Sequence, residues 1–126
     1  MKRSFITILA VSLLVACGGG NSKEKTTEKK TEDITQNPDY QAGLALVAKS
    51  DCLTCHKVDE IVTCPPYRDI ANKYGDMPDT IISHLAGKII SGGNGVWGQI
   101  FMTPHPNLSK ADAEAMVKYV LLLKNK

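Results

Sequence analysis

The chain of 126 residues is close to charge balance, with 15 Lys and Arg, 13 Asp and Glu and a formal net charge of +2. Nucleic-acid binding requires a concentrated basic face. The balance of charges therefore gives no support for a nucleic-acid-binding function, and we expect no such partner.

The N-terminus has the pattern of an export signal. Lys2 and Arg3 precede an apolar run over residues 5–16, which is too short to cross a bilayer and typical of a secretory signal peptide, assigned to residues 1–16. The run ends in "LVAC", which resembles the lipobox of bacterial lipoproteins, where the cysteine receives diacylglycerol. We expect Cys17 to be this lipid anchor; the alternative is an ordinary signal peptide with a chance cysteine near its end.

A polar segment follows, "GGGNSKEKTTEKKTEDITQ", with three glycines and almost no apolar residues. It cannot bury enough apolar surface to fold, and its Lys and acidic residues balance, which favours a solvated spacer over contacts with lipid headgroups. We therefore predict a lipidated cysteine and flexible tether over residues 17–36. The folded part is then one small domain over residues 37–126.

Four helices are predicted in this domain. The first begins at Asn37, a cap followed by proline, and leads into the first cysteine of the domain. A short helix is expected over residues 67–74, and a third, "PDTIISHLAGKIISGG", ends at Gly92. The last begins at Ser109, with an acidic residue three positions on as in a capping box. No stretch alternates with period two, so the domain is predicted to be all-α.

The stretch "DCLTCHK" contains Cys52, Cys55 and His56. Such a motif is compatible with a redox dithiol, half of a zinc site or covalent haem attachment. A zinc site needs about four ligands, and no second CxxC or spaced His pair completes one; a thioredoxin-like dithiol needs a βαβ context. Haem attachment needs only two thiols for the two vinyl groups and a histidine held beneath the iron. We therefore expect one covalent haem c.

An electron-carrying haem also needs a second axial ligand, and the candidates are Met77, Met102, Met116, His84 and His105. Met116 and His84 lie within predicted helices, where core packing and a solvated face are the simpler interpretations. Met77 lies just before a helix. Met102 lies in the proline-bounded loop "GQIFMTPHPNLS", where an extended backbone can direct one side chain inward. We predict Met102 as the second iron ligand.

The segments "CLTCHKVDEIVTCPPYRDIANKY" and "GKIISGGNGVWGQIFMTPHPNLSKADAEAMVKYVLLLK" together resemble the small class I monohaem cytochromes c of bacteria, which carry electrons to nitrite reductases and terminal oxidases. The resemblance implies the class I cytochrome c fold, with three to five helices wrapped around one covalently attached haem. It also implies that Gly43 of the first helix crosses the last helix at Tyr119.

The same resemblance implies roles for residues around the haem. Pro65 would supply the carbonyl that orients the His56 ring, as metal-bound histidines require. Tyr67, in the same "PPY" turn, would belong to the haem pocket. Trp97 would line this pocket and bond a propionate through its indole N–H.

The chain departs from the family pattern at three positions. Thr103 follows the methionine where proline is usual, His105 adds an imidazole near the iron, and Cys64 stands where glycine is common. For Cys64 we expect a small buried hydrophobe, the alternative being a redox or cross-linking role.

The predicted function is a membrane-tethered one-electron carrier between respiratory complexes or reductases, on the outer side of the cytoplasmic membrane. We expect the periplasmic side of the cell envelope, and the outer membrane rather than the inner because no Asp follows Cys17. The expected partners are redox proteins, with no small-molecule substrate, so the chain is not expected to be an enzyme. The alternative is a haem-based sensor or small-ligand-binding module, in which an iron ligand is displaced.

Overall fold

The computed structural model describes residues 33–125, and the four predicted helices are all present. In chain order the elements are a 3-10 turn Ile34–Gln36, α1 Pro38–Lys49, a second 3-10 turn Asp51–Thr54, α2 Tyr67–Tyr74, α3 Thr80–Ser91, β1 Gly93–Gly95, β2 Gly98–Met102 and α4 Lys110–Leu122. Within this part of the chain, no helix combines the length and apolarity needed to cross a membrane. The predicted signal peptide, Cys17 and most of the tether lie outside the described residues.

The helix ends follow from local hydrogen bonds. The Asn37 Oδ1 accepts from the Asp39 N–H at 2.8 Å, and the Ser109 Oγ accepts from the Asp112 N–H at 3.0 Å. These bonds satisfy amides that the first turn of a helix leaves free. At the other end of α3, Gly92 adopts a φ of 66°, which glycine reaches without strain. The predicted caps are confirmed.

The described residues include the end of the segment predicted as a tether. Residues 34–36, which the sequence assigned to the tether, form a 3-10 turn. The Asp33 carboxylate accepts from the Thr35 N–H at 3.0 Å, and the Gln41 side-chain amide of α1 donates to the Thr35 carbonyl oxygen at 3.0 Å. The last three residues of the predicted tether are therefore hydrogen-bonded to the first helix.

A small antiparallel hairpin of β1 and β2 was not predicted. Gly93 pairs with Met102, and Gly95 pairs with Gly98. The three glycines have φ values between 104° and 129°, a region that residues with a Cβ rarely adopt. Their lack of side chains removes the alternation by which a strand is recognised from sequence, so this segment was predicted as a loop.

The core lies where α1 crosses α4. A Cβ on Gly43 would overlap the Ala115 carbonyl oxygen and the Tyr119 Cβ, so only glycine allows this approach. The ring of Tyr119 is 2% exposed and meets the Tyr40 ring edge to face at 5.1 Å. The buried residues of this cluster are Val47, Tyr67, Ala71, Met116, Tyr119, Val120 and Leu123. The crossing is the one that the family resemblance implied.

Candidate functional site

A cavity of about 510 Å³ opens between the second 3-10 turn, α2, α3 and the hairpin. Its volume lies within the range typical of ligand and cofactor sites. The seven predicted pocket residues in the described chain all line it: Cys52, Cys55, His56, Pro65, Tyr67, Trp97 and Met102. Residues 50 positions apart in the sequence are thus brought to one concave surface.

The second 3-10 turn presents the two cysteines and the histidine to this cavity. The amides of Cys55 and His56 both donate to the Cys52 carbonyl oxygen, at 3.2 and 2.9 Å. This tight turn leaves both thiols half-buried and free of any disulfide. Burial raises the pKa of the Cys52 thiol above its usual value, which keeps it a neutral thiol at neutral pH.

The His56 ring is held in one orientation. Its Nδ1 lies 2.7 Å from the Pro65 carbonyl oxygen, and since a carbonyl only accepts, Nδ1 carries the hydrogen. Tyr67 stacks on the ring at 5.2 Å with an interplanar angle of 14°. The side chain is 7% exposed. His56 is therefore fixed in the tautomer that leaves the Nε2 lone pair free for a metal.

Met102 reaches the cavity from the end of β2. Its carbonyl oxygen lies against Gly92 so closely that a Cβ there would overlap it. The end of α3 therefore sets the position of the Met102 backbone. A thioether on this segment and an imidazole on the cysteine turn reach the cavity from two separate parts of the chain.

The other candidates for an axial ligand are placed differently. Met116 and His84 also touch the cavity, but Met116 is 1% exposed and packed in the α1–α4 core, and His84 is exposed on α3. Met77 is exposed and does not line the cavity. His105 lines it, but its Nε2 lies 2.7 Å from the Asp51 carboxylate. Among these side chains, Met102 lines the cavity and is neither packed in the core, bonded to a carboxylate nor exposed on a helix surface.

Trp97 lies at the rim of the cavity, between the two strands. Its ring centroid lies 6.4 Å from that of Tyr74, with an angle of 71° between the ring planes, and the Lys73 Nζ lies 5.6 Å from its ring centroid. Its indole N–H has no hydrogen-bond partner among residues 33–125.

Cys64 is a third thiol at this site. It is buried, its amide donates to the Cys55 carbonyl oxygen at 3.1 Å, and burial raises its pKa. A buried thiol with a raised pKa is weakly nucleophilic, which agrees with the predicted role of a small hydrophobe.

The cavity fits a haem by its chemistry. Two thiols, an oriented imidazole and a thioether are the groups that attach and ligate a haem c. Large apolar side chains around the mouth are exposed, with Ile61 at 78% and Phe101 at 60%. A large flat apolar group in the cavity would contact such side chains, which proteins seldom leave clustered and uncovered.

Comparisons with known proteins point to one family. The model of the cytochrome c family matches residues 40–124. Cytochrome c-552 of Nitrosomonas europaea is 48% identical over 84 residues, which cover 67% of this chain and 81% of that protein. Cytochrome c-551 of Allochromatium vinosum is 38% identical over 89 residues, covering 70% and 93%. The crystal structure of wild-type Nitrosomonas europaea cytochrome c552 matches with a TM-score of 0.60 and 47% identity, covering 64% of this chain and 99% of that one.

The helices and the cavity define a small class I cytochrome c, and the chain belongs to the cytochrome c family. It is an electron-transfer protein rather than an enzyme, and it carries one covalently attached haem c.

Two residues that matter at the site were missed from sequence. Gly92 was predicted to end a helix, but its close contact with the Met102 carbonyl oxygen was not predicted. Asp51 was not singled out, although it directly precedes Cys52 and bonds His105. No sequence signal links positions 51 and 105, because only the folded chain brings them together.

Proposed function

We propose that this protein is a lipid-anchored one-electron carrier of the cell envelope. When bound, the haem supplies a single iron that changes oxidation state by one electron. Cys52 and Cys55 would hold it through thioether bonds, and the His56 Nε2 and Met102 sulfur would ligate the iron. The observation that carries the proposal is the His56 ring, held by Pro65 with Nε2 free beside two unpaired thiols.

The surrounding residues support electron transfer without substrate chemistry. Pro65 and Tyr67 restrict the His56 ring from two directions, so this ligand would move little between oxidation states. Trp97 would donate its indole N–H to a haem propionate. The apolar side chains at the mouth would exclude water while leaving one edge near the surface, where a redox protein could dock.

The membrane attachment rests on the sequence alone. The "LVAC" motif supports lipidation of Cys17, and the polar segment after it supports a spacer that ends at the turn near residue 33. The tether would let the domain reach electron-donating and electron-accepting proteins in turn, on the periplasmic side of the envelope and, we propose, at the outer membrane.

Covalent attachment is tested by extraction of the purified protein with acid acetone. We expect the pigment to stay on the polypeptide, and a Cys52→Ser, Cys55→Ser variant to release it. Loss of the pigment from the unmutated protein would contradict the assignment of the two thiols.

Lipidation is tested with Cys17→Ser. We expect this variant to move from the membrane to the soluble fraction with an unchanged haem spectrum, because the anchor is far from the folded domain in sequence. A variant that stays on the membrane would place the anchor elsewhere.

The ligand set separates a carrier from a sensor. With Met102 on the iron, the oxidised protein should show the weak near-infrared absorption of sulfur-to-iron charge transfer, and the reduced protein should bind carbon monoxide poorly. Met102→Ala should abolish that absorption and lower the potential, while His105→Ala should retain it. Ready carbon monoxide binding by the unmutated protein would favour the sensor.

A further inference from the structure

His105 joins three parts of the cavity wall. Its Nε2 lies 2.7 Å from the Asp51 Oδ1, and Asp51 begins the turn that carries the two cysteines. Its backbone N–H lies 3.1 Å from the carbonyl oxygens of both Ile89 and Ile90, near the end of α3. His105 itself follows Met102 by three residues, between two prolines that restrict the backbone.

The bond to Asp51 determines what the His105 ring can do. A carboxylate only accepts, so Nε2 carries the hydrogen and cannot ligate a metal while the bond persists. The other nitrogen, Nδ1, is buried without a hydrogen-bond partner in the described part of the chain. The same bond lowers the pKa of the Asp51 carboxyl, so the acceptor is ionised at neutral pH.

We propose that Asp51 and His105 form a positioning pair, which holds the Met102 loop against the cysteine turn and keeps the His105 ring away from the iron. The inference rests on the His56 and Met102 ligation proposed above. Without the pair, the loop loses its one side-chain hydrogen bond to that turn among the described residues. Met102 should then be displaced from the iron more readily by an added ligand.

The apparent affinity of an added ligand measures this effect. A ligand that replaces Met102 binds only those protein molecules in which the loop has moved away. The apparent dissociation constant of the ligand therefore falls as the fraction of such molecules grows. Asp51 is 73% exposed, and exposed pairs of this kind shift such equilibria modestly. We expect a change of about two- to five-fold.

The experiment titrates the oxidised holoprotein with imidazole and follows the haem absorption. Asp51→Asn and His105→Gln should each bind imidazole about two- to five-fold more tightly than the unmutated protein. The double variant should bind no more tightly than the single ones, because the two side chains act as one unit. Asp76→Asn is the matched control, since it removes another exposed carboxylate, the partner of Lys124.

Two measurements distinguish an effect on the position of Met102 from a general loss of stability. Thermal unfolding followed by far-ultraviolet circular dichroism should shift equally in Asp51→Asn and Asp76→Asn, whereas imidazole affinity should change only in the former. Equal imidazole affinity in these two variants, or additive effects in the double variant, would overturn the inference. Absence of the near-infrared absorption in the unmutated protein would instead contradict the proposed Met102 ligation, and the inference with it.

Discussion

The α1–α4 crossing and the segment over residues 92–105 are built in opposite ways. At the crossing, protein groups fill the space, as the 2% exposure of Tyr119 shows. In the other segment, the apolar side chains of Val96, Ile100 and Phe101 are more than half exposed, and the backbone depends on glycines and a few hydrogen bonds. Folding stability should therefore reside mainly in the crossing, whereas the properties of the iron should depend on the segment.

The largest effect is expected from Tyr119→Ala. This change removes a buried ring that contacts Tyr40 and Tyr67 at centroid distances of 5.1 and 6.2 Å. Deleting a buried aromatic side chain typically costs about 3 to 5 kcal/mol of unfolding free energy, measurable by denaturant titration. The near-infrared absorption of the molecules that remain folded should not change. An unaltered denaturation midpoint would show that the terminal helices do not pack as described.

Gly43→Ala tests the same crossing by adding one methyl group. The new Cβ would overlap the Ala115 carbonyl oxygen, so the helices must separate. Overpacking of this kind typically costs about 1 to 3 kcal/mol.

Gly87→Ala is the matched control for that change. It also lies inside a helix, but apart from its chain neighbours and its own helix backbone no atom lies within 4 Å of its added Cβ. Since glycine weakens a helix interior, Gly87→Ala should stabilise the protein by about 0.5 to 1 kcal/mol. A loss of stability at both positions would assign the Gly43 effect to the helix itself and not to the crossing.

Gly92→Ala should affect the iron more than the fold. The residue has a φ of 66° and a ψ of −160°, a region that essentially only glycine adopts and where a side chain costs about 1 to 3 kcal/mol. Its Cβ would overlap the Met102 carbonyl oxygen and lie 2.9 Å from the Pro104 nitrogen. The Met102 backbone must therefore shift. We expect a weakened near-infrared absorption and tighter imidazole binding, which Gly43→Ala should not produce.

The same two regions show which features of the structure could be predicted from the sequence and which could not. Helix ends at Asn37 and Ser109 were predicted correctly because a cap is a local bond between residues two or three positions apart. The hairpin at Gly93 to Met102 was missed because glycines carry no pattern. The pair of Asp51 and His105 was missed because 54 positions separate them, and only tertiary packing brings such residues together.

The iron site combines a local motif, like the helix caps, with a distant residue, like the pair of Asp51 and His105. Cys52, Cys55 and His56 were predicted from their spacing, because haem attachment requires these groups close together in the chain. The Met102 prediction needed exclusion of other candidates, since a thioether has no fixed spacing from the motif. Its position beside Gly92 became visible only in the folded chain.

The smallest expected effect is a pH dependence of the unfolding free energy that arises from Tyr119 at the α1–α4 crossing. Burial raises the pKa of Tyr119 above its usual value, so the folded state holds the phenolic proton more tightly than the unfolded state, where tyrosine ionises near pH 10. The resulting contribution to stability is complete below about pH 10 and is lost as pH rises through the folded-state pKa. Tyr119→Phe removes the ionisable hydroxyl and keeps the ring, and it breaks no hydrogen bond within residues 33–125.

Unfolding free energies of the two proteins should therefore be compared between about pH 9 and 11. The unmutated protein should lose stability more steeply, by at most about 1.4 kcal/mol per pH unit for one proton. Both proteins share every other ionisable group, so the difference between the curves isolates Tyr119. Parallel curves would show that packing at the α1–α4 crossing does not raise the pKa of Tyr119.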